Sequence, residues 1–241
     1  MPRSRTFIPP LSFDVLTPLY DPLVRLTMPE HRFRSALVRQ ARIAPKMRVL
    51  DLGCGTGSLA FAVKREQATA EVIGIDPDRR ALEIARDKAR GARSDVTFQR
   101  GSADGLPYAD ASFDRVLSSL ALHHMSQQTK RAALRECARV LGVGGELHVA
   151  DWGPPQDALM RIMSWPFRIF DGLEFTADNY QGLLPQFFRD AGFRNVVETQ
   201  RLRTIFGTLT LYRAEKTATA VEQDFTPGQR DTVASGSERP E

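Results

Sequence analysis

The stretch LDLGCGTGSLA, residues 50–60, constrains this 241-residue chain more than any other. An apolar run, MRVLDL (47–52), stops at Gly53, and a second apolar segment starts after Gly57, so the order is strand, tight turn, helix. A short apolar run without polar alternation suits a strand covered on both faces of a parallel sheet. Glycines at 53, 55 and 57 let the backbone turn sharply and let a ligand approach the main chain. Their spacing is G-x-G-x-G rather than the G-x-G-x-x-G of dinucleotide-binding turns. Asp51, at the strand end, disfavours a phosphate and suits a cationic amino group. A glycine-rich turn that merely joins strand to helix is the simpler alternative.

The next segments repeat the alternation. EVIGID (71–76) is a second strand, and Pro77 is placed to open a helix with Ala81, Leu82, Ala85 and Ala89 along one face. DVTFQR (95–100) and FDRVLSSL (113–120) are the third and fourth strands. A helix over about 126–141 carries Leu134, Cys137, Ala138 and Leu141. Gly142, Gly144 and Gly145 end it before a fifth strand, GELHVAD (145–151). Strands and helices in alternation predict an α/β, doubly wound parallel sheet. FRNVVETQ (193–200) and TIFGTLTLYR (204–213) lie too close for a helix between them, which predicts an antiparallel hairpin at the sheet edge.

Charge excludes one class of partner. The net charge of +4 divides into +6 over residues 1–48, +1 over 49–213 and −3 over 214–241. A nearly neutral body does not offer a general nucleic-acid surface. Cys54 and Cys137 are too few for a disulfide framework and show no metal-ligand spacing with the histidines, so no metal is expected. The start MPRSRTFIPP has no apolar signal core and no run nears the ~20 residues of a membrane span, which predicts a soluble cytoplasmic protein. Three segments are expected: a basic helical lid over 1–46, a folded α/β body over 47–213 and a disordered acidic tail over 214–241.

Asp76 ends the second strand, where an acidic side chain in such a fold can accept hydrogen bonds from both hydroxyls of a ribose. Followed by Pro77, it also makes a good helix N-cap, and one carboxylate can serve both roles. LDLGCGTG, GIDPD, GSADGLPYADASFDRVLSSLALHH and RVLGVGGELHVADW, in that order and spacing, resemble the class I S-adenosylmethionine-dependent methyltransferases. Within them the chain is similar to the methyltransferase type 11 group, which includes the ubiquinone and menaquinone C-methyltransferases. The resemblance covers about residues 13–213.

The resemblance implies a Rossmann-like seven-stranded sheet with the last strand antiparallel, and S-adenosylmethionine as cofactor. It implies that Gly53 and Gly55, with Cys54 between them, meet the methionine part of the cofactor, that Asp51 lies near its amino group and that Asp76 binds the ribose. The family's Gly-Asp-Ala after the third strand is Gly101, Ser102, Ala103 here. Ser102 and Ala103 are then the adenine-side candidates, with the charge removed or shifted to Asp104. Ser119, at the end of the fourth strand, is a further cofactor candidate. Val143 stands where the family commonly has a proline before the double glycine, a change that concerns a turn.

An activated methyl donor leaves the protein mainly to align the acceptor and exclude water. His124 is the candidate base, and His123, Tyr20 and Trp152 are candidate acceptor contacts. The histidine pair also fits a plain turn after the strand. Helical spacing within 20–43 puts Phe33, Ala36, Leu37 and Ala41 on one side and Arg32, Arg39 and Arg42 on another, a segment suited to covering the cofactor. ALMRIMSWPFRIF (158–170) is either a packing helix or a wall for an apolar acceptor with transient membrane contact. The expected function is methyl transfer to a small apolar or aromatic, quinone- or lipid-like molecule. A non-catalytic cofactor-binding module and a nicotinamide-dependent oxidoreductase are the alternatives, the second opposed by the missing G-x-G-x-x-G.

Overall fold

The computed structural model describes residues 30–163, 173–204 and 207–217. Seven strands, β1 (Arg48–Leu52), β2 (Glu71–Asp76), β3 (Thr97–Arg100), β4 (Phe113–Ser119), β5 (Leu141–Gly153), β6 (Phe193–Thr204) and β7 (Gly207–Lys216), form one sheet in the order β3-β2-β1-β4-β5-β7-β6. β1 to β5 pair in parallel, while β7 runs antiparallel to both β5 and β6. The doubly wound sheet and its antiparallel edge hairpin are thus as the alternation requires. Strand order reverses between β1 and β4, so their helices leave toward opposite faces and a crevice opens at the carboxyl ends.

Seven helices among the described residues accompany the sheet: α1 (Glu30–Ala41), α2 (Ser58–Glu66), α3 (Arg79–Ala92), α4 (Gln127–Val140), α5 (Ala158–Met163), α6 (Leu173–Tyr180) and α7 (Leu184–Asp190). Alternation along the strands feeds two apolar layers. Val49, Val72 and Leu117 pack with Phe33, Leu37, Val63 and Leu82 on one face. Leu50, Leu52, Ile73 and Val116 pack with Leu134, Cys137, Phe187 and Phe188 on the other. A parallel strand covered on both sides is apolar along most of its length, which is why β1 and β2 read as apolar runs interrupted only by Asp51 and by the charged residues at their ends. β6 is an edge strand of mostly exposed residues, with Glu198 and Arg201 paired on its surface, a composition that discourages further strand addition.

Some boundaries differ from expectation. The helix after β2 starts at Arg79, not Pro77, and its cap is Asp78, whose side chain accepts the N–H groups of Arg80 and Ala81. Asp76 instead has its Oδ1 accepting the Asp78 N–H and its Oδ2 the Gly55 N–H, both at 2.8 Å. The fourth helix is capped by Ser126 and ends at Val140, and Leu141 already belongs to β5. β7 continues three residues beyond the expected end of the body, because Ala214 pairs with Leu147 and is fully buried. The remainder of the expected tail from 218, the lid residues 1–29 with Tyr20, and 164–170 of the aromatic segment lie outside the described residues. In α1, Phe33, Leu37 and Ala41 are buried and Arg32 and Arg39 exposed, as the helical spacing has it, and Arg42 just beyond is exposed too. Among the described residues, no helix is long and apolar enough to cross a membrane.

Candidate active site

The carboxyl ends of β1 to β4 surround a cavity of about 340 Å³. Asp51, Gly53, Cys54, Gly55, Asp76, Ser102, Ala103 and Ser119 all line it, so the eight residues singled out for the cofactor converge on one wall system. His124 lines it as well. His123 and Trp152 do not.

The first turn is built by main-chain geometry. The N–H groups of Gly53 and Cys54 both donate to Ile75 O, at 2.9 and 3.1 Å, which pins the turn to the end of β2. Gly53 has φ +68°, and a Cβ there would lie 2.4 Å from the Ala121 Cβ. Gly55 has φ +51° with nothing close to its missing Cβ, so its Cα face is open. α2 begins after Gly57, which has no side chain with which to cap it. Asp51 takes that place from the neighbouring strand, accepting the Ala60 N–H on Oδ2 at 3.0 Å.

Two buried carboxylates dominate the electrostatics. Burial pushes Asp51 up to about 7, with the Asp76 charge adding to the rise, against the lowering influence of the Ala60 N–H and the Arg34 guanidinium. Burial likewise pushes Asp76 up to about 6, although the N–H groups of Asp78 and Gly55 oppose it. Asp51 Oδ1 and Ser119 Oγ are sealed from solvent and have no hydrogen-bond partner among the described residues. A buried acceptor without a donor is costly, and it marks where a ligand donor belongs. The Cys54 thiol is held well above its ordinary value by burial and by the two carboxylates, so it is a neutral wall group.

The histidines divide. His123 Nδ1 lies 2.7 Å from Asp151 Oδ1, and both residues are buried. Asp151 also accepts the N–H groups of Leu122 and Trp152 and an N–H of the Asn179 side chain. His123 therefore belongs to a closed polar network behind the cavity, with the Trp152 ring 6.1 Å away. His124, its ring centre 4.0 Å from that of His123 and tilted by 42°, stays outside that network, and its buried Nδ1 has no partner among the described residues. Burial holds it well below the ordinary histidine value, aided by His123 and Lys130, so it is a neutral imidazole.

On the adenine side, the Ser102 hydroxyl donates to the Asp104 carboxylate, and Asp104 itself stays off the cavity wall. Arg34, Leu120, Ala121, Met125 and Thr129 line the cavity without having been singled out in the sequence. Among them Arg34 left a signal, a charge in line with the buried face of α1.

The donor set fits S-adenosylmethionine. The cavity offers a carboxylate oxygen lacking a donor, a second carboxylate at the end of β2 and glycines that bring the main chain close, which is a surface for a cation and a ribose rather than for a pyrophosphate. A family model described as a methyltransferase domain matches residues 49–145. A demethylmenaquinone methyltransferase of Lactiplantibacillus plantarum is 31% identical over 207 residues, covering 76% of this chain and 86% of its own. The chain belongs to the class I S-adenosylmethionine-dependent methyltransferases. A demethylmenaquinone methyltransferase of Deinococcus radiodurans is 34% identical over 160 residues, 66% of this chain and 64% of its own, so the chain spans just under two thirds of that relative. Among solved structures, that of the [4+2]-cyclase SpnF matches with a TM-score of 0.63 at 23% identity, covering 78% of this chain and 81% of its own, a likeness of fold alone. The family's cofactor is the ligand this cavity suits. Among the described residues, no group of three or more His, Cys, Asp or Glu is arranged to hold a metal ion.

Proposed function

We propose that the chain transfers a methyl group from S-adenosylmethionine to a small apolar acceptor of the quinone type. The observation that carries the reading is the Asp51 carboxylate, which borders the cavity at the strand switch point and whose sealed Oδ1 has no donor among the described residues. In this reading Asp51 holds the ammonium of the cofactor, and Gly53, Cys54 and Gly55 pass its methionine part along the main chain. Asp76 uses the remaining lone pairs of its two oxygens for the ribose hydroxyls. Ser102 and Ala103 border the adenine, and Ser119 offers its hydroxyl from the end of β4. When bound, the cofactor supplies a methyl group already activated on a positively charged sulfur.

The protein's remaining tasks are alignment, exclusion of water and the removal of a proton. Leu120, Ala121 and Met125 give the cavity an apolar side near His124, and that is where we place the acceptor. A neutral His124 is ready to take the proton that leaves a hydroxylated aromatic ring. The quinone class is supported by the names of the two relatives, each a demethylmenaquinone methyltransferase. For a lipid-soluble acceptor we expect transient contact with a membrane surface through exposed Leu159 and Ile162 on α5 and the arginine face of α1. Unchanged liposome binding after neutralising Arg32, Arg39 and Arg42 contradicts the arginine part.

The test is to incubate the chain with S-adenosylmethionine deuterated in its methyl group and a prenylated 1,4-naphthoquinol lacking the ring methyl, then analyse the product by mass spectrometry. The label is expected on the ring. Cofactor binding with no label in this or any acceptor from cell extract contradicts the reading and leaves a non-catalytic binding module.

A further inference from the structure

The end of β5 holds the turn that carries His124, and it holds that turn on both sides of a strained position. Leu120 has φ +55°, a left-handed backbone that a bulky side chain rarely adopts and that persists only where its surroundings over-determine it. Its N–H donates to Ala150 O at 2.8 Å. Two residues on, the Leu122 N–H donates to Asp151 Oδ2 at 2.9 Å and opens the single turn Leu122–His124. Oδ1 of the same carboxylate accepts from His123 Nδ1 and the Trp152 N–H, both at 2.7 Å, and from the Asn179 side chain at 3.1 Å. Asn179 is fixed as well, because the preceding Asp178 pairs at 3.3 Å with Lys130, which is fully buried on α4.

Asp151 has no solvent exposure and is not on the cavity wall, whereas Leu120, Ala121 and His124 are. A buried carboxylate with donors on both oxygens reaches the cavity through the turn it holds. We propose that Asp151 is a positioning residue: by gripping the turn through the Leu122 N–H and the His123 ring, it sets the His124 imidazole in the cavity where the proton of the acceptor is removed. This rests on the reading of His124 as the base. It adds a requirement from Asp151 and Asn179, both beyond the matched residues 49–145.

Transfer to the prenylated 1,4-naphthoquinol is measured for His124→Gln, Asp151→Asn and the double variant. An amide at 151 keeps one acceptor oxygen and turns an amino group toward donors, so the turn loosens. Asp151→Asn is expected to lower kcat by about tenfold or more with S-adenosylmethionine affinity within about threefold of wild type, and the double variant to be no slower than His124→Gln alone. Losses that multiply, or an unchanged kcat in Asp151→Asn, overturn the positioning role. Imidazole NMR gives a readout that needs no turnover. The His124 ring, faced by His123 and Lys130 and kept neutral by burial, is expected to give signals that stay still between about pH 6 and 8 in wild type and titrate near the ordinary 6.5 in folded Asp151→Asn. Loss of the carboxylate charge by itself moves the value further down, so a rise reports a ring released from its place. Signals equally still in both proteins overturn the inference. Circular dichroism and thermal midpoints show whether Asp151→Asn is folded. Should it not fold, Asn179→Ala, which removes one donor from the carboxylate, carries the same measurements with a smaller loss. Failure of wild type to methylate the quinol counts against the proposed acceptor, and the NMR then decides by itself whether Asp151 places the ring.

Discussion

Asp51 and Ala60 are joined across the glycine turn: the carboxylate accepts the Ala60 N–H at 3.0 Å on Oδ2, while Oδ1 has no partner among the described residues. The same side chain thus caps a helix with one oxygen and lines the cavity. Its pKa in the folded protein near 7, above the ordinary 3.8, makes the folded state the better proton binder between those values. Stability without ligand therefore falls as pH rises from about 4 to about 7 and levels off above, by at most ~1.4 kcal/mol per pH unit from this one group. A cationic ligand prefers the ionised carboxylate, so its affinity runs the other way, rising with pH to about 7 and then flattening. Asp51→Asn is expected to remove both its share of the stability slope and the rise in affinity. Denaturant titrations and calorimetry across pH 5 to 8 check the two directions, and an affinity independent of pH contradicts the role.

Two glycines in the turn have opposite reasons for being there. Gly53→Ala meets both the positive φ and the Ala121 Cβ, and is expected to cost roughly 3 kcal/mol or more in folding stability. Gly55→Ala has room for its methyl and bears only the backbone strain, about 1 kcal/mol, yet it puts a methyl on the cavity wall and weakens ligand binding. Thermal midpoints for both, with a ligand titration for Gly55→Ala, separate the effects. Equal destabilisation by the two substitutions contradicts the distinction.

Neighbouring histidines are expected to fail in different ways. His124→Gln leaves the fold and cofactor affinity near wild type and lowers transfer by about a hundredfold or more, the usual worth of a positioned base. Because His124 is held well below 6.5, protonation of that group removes no activity above pH 6.5. His123→Ala strips a partner from buried Asp151 and is expected to cost about 3 kcal/mol, visible in the thermal midpoint before any assay is run. Unchanged turnover in His124→Gln dismisses the base.

The sheet was legible in the sequence because parallel strands covered on both faces must be largely apolar, as VIGI is throughout and VLDL is apart from Asp51. The convergence of Asp51, Asp76, Ser102 and Ser119 follows from one topological fact, that successive parallel strands end on the same side. What sequence could not supply were choices between near-equivalent neighbours. Asp76 and Asp78 flank Pro77, and in the structure the first accepts the Gly55 N–H, 21 positions upstream, while the second caps the helix. His123 and His124 are adjacent, and Asp151 on β5, 28 positions on, draws the first into the interior. Arg34 was hidden by its company, one of nine basic residues in the first 48. Ala214 to Lys216 have a composition like that of the tail but pair with β5 or β6, where backbone hydrogen bonding outweighs a weak apolar signal.

Every step proposed for this chain depends on S-adenosylmethionine being held by the carboxylates that end β1 and β2. A calorimetric titration of S-adenosylmethionine into wild type and into Asp76→Ala, each first shown to be folded, examines that dependence at its source. One site per chain is expected in wild type and an affinity lowered by about tenfold or more in the variant, from the loss of charge-assisted hydrogen bonds to the ribose and of the bond that steadies Gly55. Equal affinity in the two proteins would remove Asp76 from the site and contradict the assignment.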